Sequence, residues 1–329
     1  MPIDRSAAHR ARAVSQPVFS PPVAGLLEKR LVFVTGKGGV GKSTVATALG
    51  MVAARRGRRT IVAELASQQR VQATFAQESG RFKEIQLDRD LFAISIDPQN
   101  AMEEYLRVKA GAVGHLLSNS RLFAVFAMAT PGMRELLTIG KVWELAQFER
   151  RTEGAAAYDF VVVDAPATGH GVGILRTPRT FADIARVGPI ARQGRIIADT
   201  IADREFTGVV AVATPEEMAV NETLALREAL AAEALGLDAV ILNAVYPARF
   251  ADSELARLGD ALAAATSPLA RSALRAALSE HDRAASQREQ QLRLDAGLDC
   301  EPLQLPYLFC DQLGPAELNA LADALERQL

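Results

Sequence analysis

Nine consecutive residues, Gly36-Lys37-Gly38-Gly39-Val40-Gly41-Lys42-Ser43-Thr44, bring four glycines, two lysines and two hydroxyls into one short stretch. That mixture suits phosphate. Glycine permits backbone torsions other residues resist, so successive N–H groups can converge on an anion. The helix that follows the loop would add the partial positive charge of its N-terminus. Lys42 would then reach the β- and γ-phosphates, and the Ser43 hydroxyl would ligate Mg²⁺. A second chemical residue, Asp164, ends the apolar run Phe160-Val161-Val162-Val163. A carboxylate at a buried strand end is placed to hold Mg²⁺ or its water shell. The plainer alternative for Asp164 is a turn or helix-capping aspartate.

The elements that must position these groups follow from hydrophobic patterning. Leu31 to Thr35 reads as a strand, and the alanine-rich stretch from Val45 to Arg55 as a helix closed at Gly57. Strand, glycine-rich turn and helix is the context a phosphate-binding loop requires. Further strands are expected at Thr60–Leu65, Leu91–Ile96, Phe160–Asp164, Gly208–Ala213, Ala239–Asn243 and about Pro302–Leu305. Near-continuous Val/Ile/Leu runs alternating with helices predict an α/β fold, a doubly wound parallel sheet covered on both faces. Ligands in such sheets sit at the carboxyl ends of the strands, where Thr35, Asp164, Thr214 and Asn243 fall.

Lys37 adds a resemblance. GKGGVGKST looks like the deviant Walker A loop of the SIMIBI-type P-loop NTPases, which include ParA/MinD, nitrogenase iron protein and ArsA/Get3. In that group the extra lysine contacts nucleotide across a dimer interface, so the resemblance makes Lys37 an intersubunit residue. The segment Asp164-Ala165-Pro166-Ala167-Thr168-Gly169-His170 is similar to the switch II motif of ArsA/Get3-type ATPases, with its proline shifted by one place. Also similar are Ser95-Ile96-Asp97-Pro98, Pro131 to Leu136 and Thr214-Pro215-Glu216-Glu217. By the same resemblance, Asn243 matches an adenine-contacting asparagine, and Leu305-Pro306-Tyr307 lies near an adenine loop. The chain is thus identified as a member of the ArsA/Get3-type family from Lys29 onward. That implies an ATPase using ATP and Mg²⁺, closing as a dimer over two nucleotides. A plain solvated lysine is the alternative for Lys37 taken alone.

Three departures from the family pattern shape the expected function. Where the family's switch I reads Ser-Thr-Asp-Pro, this chain has Glu64-Leu65-Ala66-Ser67, with Phe75 supporting the register. Ala66 has no carboxylate to orient the attacking water, and Glu64, two residues earlier, could substitute only if the strand end bends. Slow or partner-dependent hydrolysis is therefore expected. Second, Cys300 and Cys310 stand ten apart, without CxxC spacing, so no zinc and no metalloid chemistry is expected. Third, an apolar helical insert spans about 99–150, with Leu116, Leu117, Leu122, Phe123, Val125, Phe126 and Met128 at its middle. In relatives this insert forms a groove for a hydrophobic client; a closed subdomain core or dimer contact is the alternative.

With 49% apolar and 23% charged residues in 329, the chain is composed as a globular protein able to bury a large core. A net charge of −2 gives no footprint for nucleic acid or an anionic membrane. No apolar stretch reaches the roughly 18 residues of a membrane span, so no direct membrane insertion is expected. Residues 1–29 are basic, proline-bearing and aperiodic and are expected to be disordered. Residues 30–329 then form one P-loop domain, with a second helical insert at about 247–298. Few cysteines favour a cytoplasmic setting. Three functions follow: a dimeric ATPase, homodimeric or paired with a paralogue, that controls an apolar surface; a non-catalytic nucleotide-sensing subunit of a heterodimer; and a MinD/ParA-like positioning ATPase. The last sits poorly with the acidic terminal helix, which carries Glu317, Asp323 and Glu326.

Overall fold

A computed structural model describes residues 23–65, 70–75, 82–107, 130–152, 154–185, 188–298 and 300–329. Eight strands form one sheet: β1 (Leu31–Gly36), β2 (Thr60–Glu64), β3 (Ile85–Asp88), β4 (Leu91–Ser95), β5 (Phe160–Ala167), β6 (Thr207–Ala213), β7 (Ala239–Val245) and β8 (Leu303–Pro306). Their order across the sheet is β3-β4-β2-β5-β1-β6-β7-β8. All pairings are parallel except β3 with β4. The chain steps outward from β1 to β2 and β4, returns through β5, and then builds the other wing through β6, β7 and β8. The carboxyl ends flanking β1 are thus the point where the winding reverses, the usual ligand crevice of such sheets. The architecture is that of a P-loop NTPase.

The expected strands form because their residues are apolar on both faces. Val32, Val34, Ile61, Val62, Val162, Val163, Val210 and Ile241 are all fully buried, as a sheet covered by helices on both sides demands. Helix α1 (Lys42–Arg55) is buried continuously from Val45 to Ala53. It is apolar all round because it lies between the sheet and the last helix, α9 (Pro315–Glu326). Arg55 closes that contact with 2.7 Å hydrogen bonds to Asp323 and Asn319. Each fully buried aliphatic side chain, such as Val45, Leu49 or Leu325, contributes about 1.5–3 kcal/mol by leaving water.

Two differences from the sequence reading have local causes. The antiparallel edge strand β3 was not expected, because four residues, Ile85-Gln86-Leu87-Asp88, are too few to display a period. A turn with Asp90 in the left-handed region (φ 58°) folds β3 back on β4. Within the expected N-terminal extension, Val23–Glu28 forms a 3₁₀ turn that buries Leu26 and Leu27; residues 1–22 lie outside the described residues.

The helices that complete the chain are α2 (Arg70–Thr74), α3 (Met133–Leu145), α4 (Thr168–Ala185), α5 (Pro189–Ala202), α6 (Glu217–Ala232), α7 (Asp252–Ala264) and α8 (Pro268–Gly297). The insert contributes α3 and a helical run at 98–107, while residues 108–129, with most of its apolar side chains, lie outside the described residues. A cavity of about 200 Å³ opens among Ala101, Met102, Tyr105, Leu106, Leu137 and Ile197. Glu104, Lys141 and Glu144 also line it, as part of an ion network that ties the insert to Glu84, just ahead of β3. Lys141 holds Glu104 (2.9 Å) and Glu144 (3.0 Å), and Arg150 holds Glu144 (2.7 Å) and Glu84 (2.6 Å). The Tyr158 hydroxyl donates to Glu84 at 2.7 Å.

Burial pushes the Glu84 and Glu144 carboxyls up, but hydrogen bonds from Arg150 and the nearby cations outweigh it and hold both below the usual glutamate value. Their contribution to stability is complete above the ordinary glutamate value and is lost as pH falls through their lower folded values. Arg150→Ala strips both carboxylates of a partner whose side chain is 1% exposed, and should cost about 3–5 kcal/mol in urea unfolding at neutral pH. The acid-range loss of stability should shrink in the variant. A variant as stable as the parent would contradict the network's role.

Candidate functional site

β1 delivers the chain into the loop under tight constraint. Gly36 has φ 147°, and a Cβ there would collide with the Val212 carbonyl oxygen of β6. The pairing of β1 with β5 also shifts between Val34 and Gly36, which opens the loop away from the sheet. Gly38 and Gly39 form the turn, and Val40 is buried against the core. Gly41, at φ 90°, is the N-cap of α1. The Asn243 side chain donates from Nδ2 to the Val40 carbonyl at 2.9 Å, filling the space a Cβ on Gly41 would need.

α1 therefore begins with no side-chain cap hydrogen bond. The first N–H groups of any helix lack partners in its own ladder. Here those of Lys42, Ser43 and Thr44 lie where the loop turns, an arrangement built for an anion. Lys42 folds over the loop, its Nζ donating to the Lys37 carbonyl at 2.8 Å. The Ser43 hydroxyl donates to Asp164 Oδ2 at 2.5 Å, and both residues are half-buried. The donor types fit Mg²⁺, which takes hard oxygen ligands and is held in nucleotide sites by one or two protein oxygens together with substrate phosphates. Thr35 buttresses the floor through a 3.4 Å bond to the Pro166 carbonyl.

Glu64 ends β2 with its register unbroken, opposite Asp164 on β5 and Ser95 on β4. The chain bends at Leu65, directly after the strand. Glu64 itself is 2% exposed and its Oε1 accepts the Val71 N–H of α2 at 3.2 Å. Ala66 lies outside the described residues. Lys37 Nζ stands 3.8 Å from Glu222 Oε1 on α6, a partner that no sequence spacing announced. Pro306 ends β8 opposite Val245, two residues beyond Asn243 on β7. Beside it Tyr246 and Tyr307 stack with ring centroids 4.5 Å apart. Thr214 follows β6 at the same end of the sheet. The sequence-derived residues Gly36 to Thr44, Glu64, Asp164, Asn243 and Pro306 thus all gather at the carboxyl ends of β1, β2, β5, β7 and β8. Cys300 is half-buried and Cys310 exposed.

The family model for anion-transporting ATPases matches residues 29–192 and 186–259. The chain belongs to the anion-transporting ATPase family. Within the ArsA/Get3-type group it is 30% identical to the ATPase BagA of Mycobacterium tuberculosis over 238 residues, covering 70% of this chain and 69% of that one. It is 27% identical to an arsenical pump-driving ATPase of Escherichia coli over 256 residues, covering 71% of this chain but only 41% of the relative. It is 26% identical to the ATPase GET3 of Podospora anserina over 167 residues, covering 49% and 47%. Family membership makes this chain an ATPase in general terms, and no helix among its described residues is long and apolar enough to cross a membrane.

Gly36→Ala should be destabilising, because the added Cβ meets backbone rather than a movable side chain. The torsional strain alone is worth about 1–3 kcal/mol. Urea unfolding should show that loss and nucleotide titration a weakened site. A variant matching the parent in both would contradict the close approach of β1 and β6.

Proposed function

We propose that this ATPase binds Mg-ATP at the Gly36–Thr44 loop between two subunits and hydrolyses it slowly. Nucleotide state would control the apolar surface of the helical insert. The observation that carries the proposal is the Ser43–Asp164 pair, 2.5 Å apart beneath the uncapped start of α1. The loop N–H groups of Gly38, Gly39, Val40, Gly41, Lys42, Ser43 and Thr44 surround the phosphates. Lys42 leaves the Lys37 carbonyl for the β- and γ-phosphate oxygens. Ser43 and Asp164 would hold Mg²⁺, which when bound neutralises charge shared by the β- and γ-phosphates. Asn243 and the Pro306 turn contact the base. Lys37 exchanges its half-exposed Glu222 contact, worth little in water, for the partner subunit's nucleotide.

The slow rate follows from switch I. Ala66 offers no carboxylate, and Glu64 already has one oxygen on the Val71 N–H. That same pair of facts supports a second reading, a nucleotide-sensing subunit beside an active paralogue. The cavity by Met102 and Leu137 supports an apolar protein client, with a closed core as the competing use. Zinc is not invoked, since two cysteines ten apart lack paired spacing. A cytoplasmic setting without nucleic acid belongs to the same proposal.

Ala66→Asp should raise ATP turnover by on the order of 10²-fold or more at unchanged ATP affinity. Unchanged turnover would mean that the missing switch I carboxylate does not limit hydrolysis. Lys37→Ala should retain ATP binding by the monomer yet lose ATP-dependent dimerisation in sedimentation velocity. A variant that still dimerises on ATP would remove the intersubunit role.

A further inference from the structure

We infer that Gln72, on α2, orients the attacking water in this chain, an assignment that rests on the ATPase reading above. Gln72 is fully buried, and neither Oε1 nor Nε2 of its amide has a hydrogen-bond partner among the described residues. Such groups are rare, because a buried amide without partners forfeits its hydration and gains nothing in return. The Ser95 hydroxyl, at the end of β4 and opposite Glu64 in register, is also buried without a partner. These polar groups lie at the ligand end of the sheet rather than in its middle. Buried atoms without partners also occur on Arg58 and Arg59 at the opposite end of the sheet, but Gln72 is the residue whose whole amide is left without one.

A short chain of contacts ties Gln72 to that crevice. Ser43 bonds Asp164 on β5, Asp164 faces Glu64 on the neighbouring strand β2, and Glu64 accepts the N–H of Val71, the residue before Gln72. Neighbouring strands lie about 4.8 Å apart, so α2 begins within a few side-chain lengths of the phosphates. α2 is a five-residue turn, too short to be stable on its own, and can be re-seated. ATP supplies what the nucleotide-free packing withholds. A γ-phosphate oxygen accepts from Nε2, and the attacking water donates to Oε1. Differential bonding of this kind biases a segment toward the nucleotide-bound arrangement. An amide orients water in other phosphate-loop enzymes, since it can donate and accept at once.

In the step so arranged, the water oxygen bonds to Pγ while the bond from Pγ to the β–γ bridging oxygen breaks. The electron pair of that bond leaves with ADP. One water proton stays on the attacking oxygen and the other passes to a phosphate oxygen, giving ADP and dihydrogen phosphate.

Gln72→Met keeps the length and removes the amide. Its kcat should fall on the order of 10²-fold with ATP affinity within about threefold, while the melting temperature of the nucleotide-free protein rises. A purely structural glutamine would shift the melting temperature and leave kcat alone. Wild-type kcat in Gln72→Met, beside a wild-type chain that turns over ATP, would overturn the inference and spare the ATPase reading. A wild-type chain that neither binds nor turns over ATP would remove both. Should Gln72→Met fail to fold, hydrogen exchange of the Arg70–Thr74 peptide in the wild-type protein decides. Exchange altered by a non-hydrolysable ATP analogue supports the inference, and unaltered exchange overturns it.

Discussion

Placement of β1 between β5 and β6, in parallel and with no room for a side chain at Gly36, is the constraint on which the site depends. At Gly36 the β6 carbonyl of Val212 leaves no room for a side chain. On the opposite flank the β5 pairing carries Asp164 level with Val34 and then slips by a residue. The same geometry starts α1 over the strand ends, so Ser43 meets Asp164 without any long connection. The loop proposed to bind phosphate is thus held in place by the strands on either side of β1. Its electrostatics come from helix N–H groups and one lysine, and its shape from Gly36 and Gly41, where a side chain would meet Val212 and Asn243.

Around that centre the two wings of the sheet do different work. On the β7–β8 side, Asn243 bonds the loop itself, coupling the expected base contact to the phosphate cradle. On the β2–β4 side, Glu64 is tied to α2, and the insert that follows β4 is pinned by Lys141 and Arg150 to carboxylates from three segments. Such a buried network contributes little net stability over an apolar core. Its value is positional, since Arg150 ties the end of the insert to Glu84, just ahead of β3.

Much of this was legible in the sequence because the phosphate loop and the strands are local signals. Nine residues specify the turn from β1 to α1, and runs such as Phe160–Val163 declare a doubly covered strand by composition alone. The carboxylate Asp164 and the amide Asn243 could be placed because both end such runs. What could not be read depends on contacts between distant segments. The Lys37–Glu222 approach joins residues far apart in sequence, and β3 becomes a strand only because β4 offers an edge. The most informative residue, Gln72, looks like any helix-surface glutamine until its burial is seen. Leu26 and Leu27 likewise gain meaning only from the core they cover.

The central claim is that Ser43 and Asp164 form the metal-binding corner of a triphosphate site. The most direct measurement is calorimetric titration of a non-hydrolysable ATP analogue into the wild-type protein and Asp164→Asn, each with and without Mg²⁺. The account predicts that Mg²⁺ tightens binding about tenfold or more in the wild-type protein, and that the neutral amide abolishes this gain. Equal metal dependence in the two proteins would contradict it.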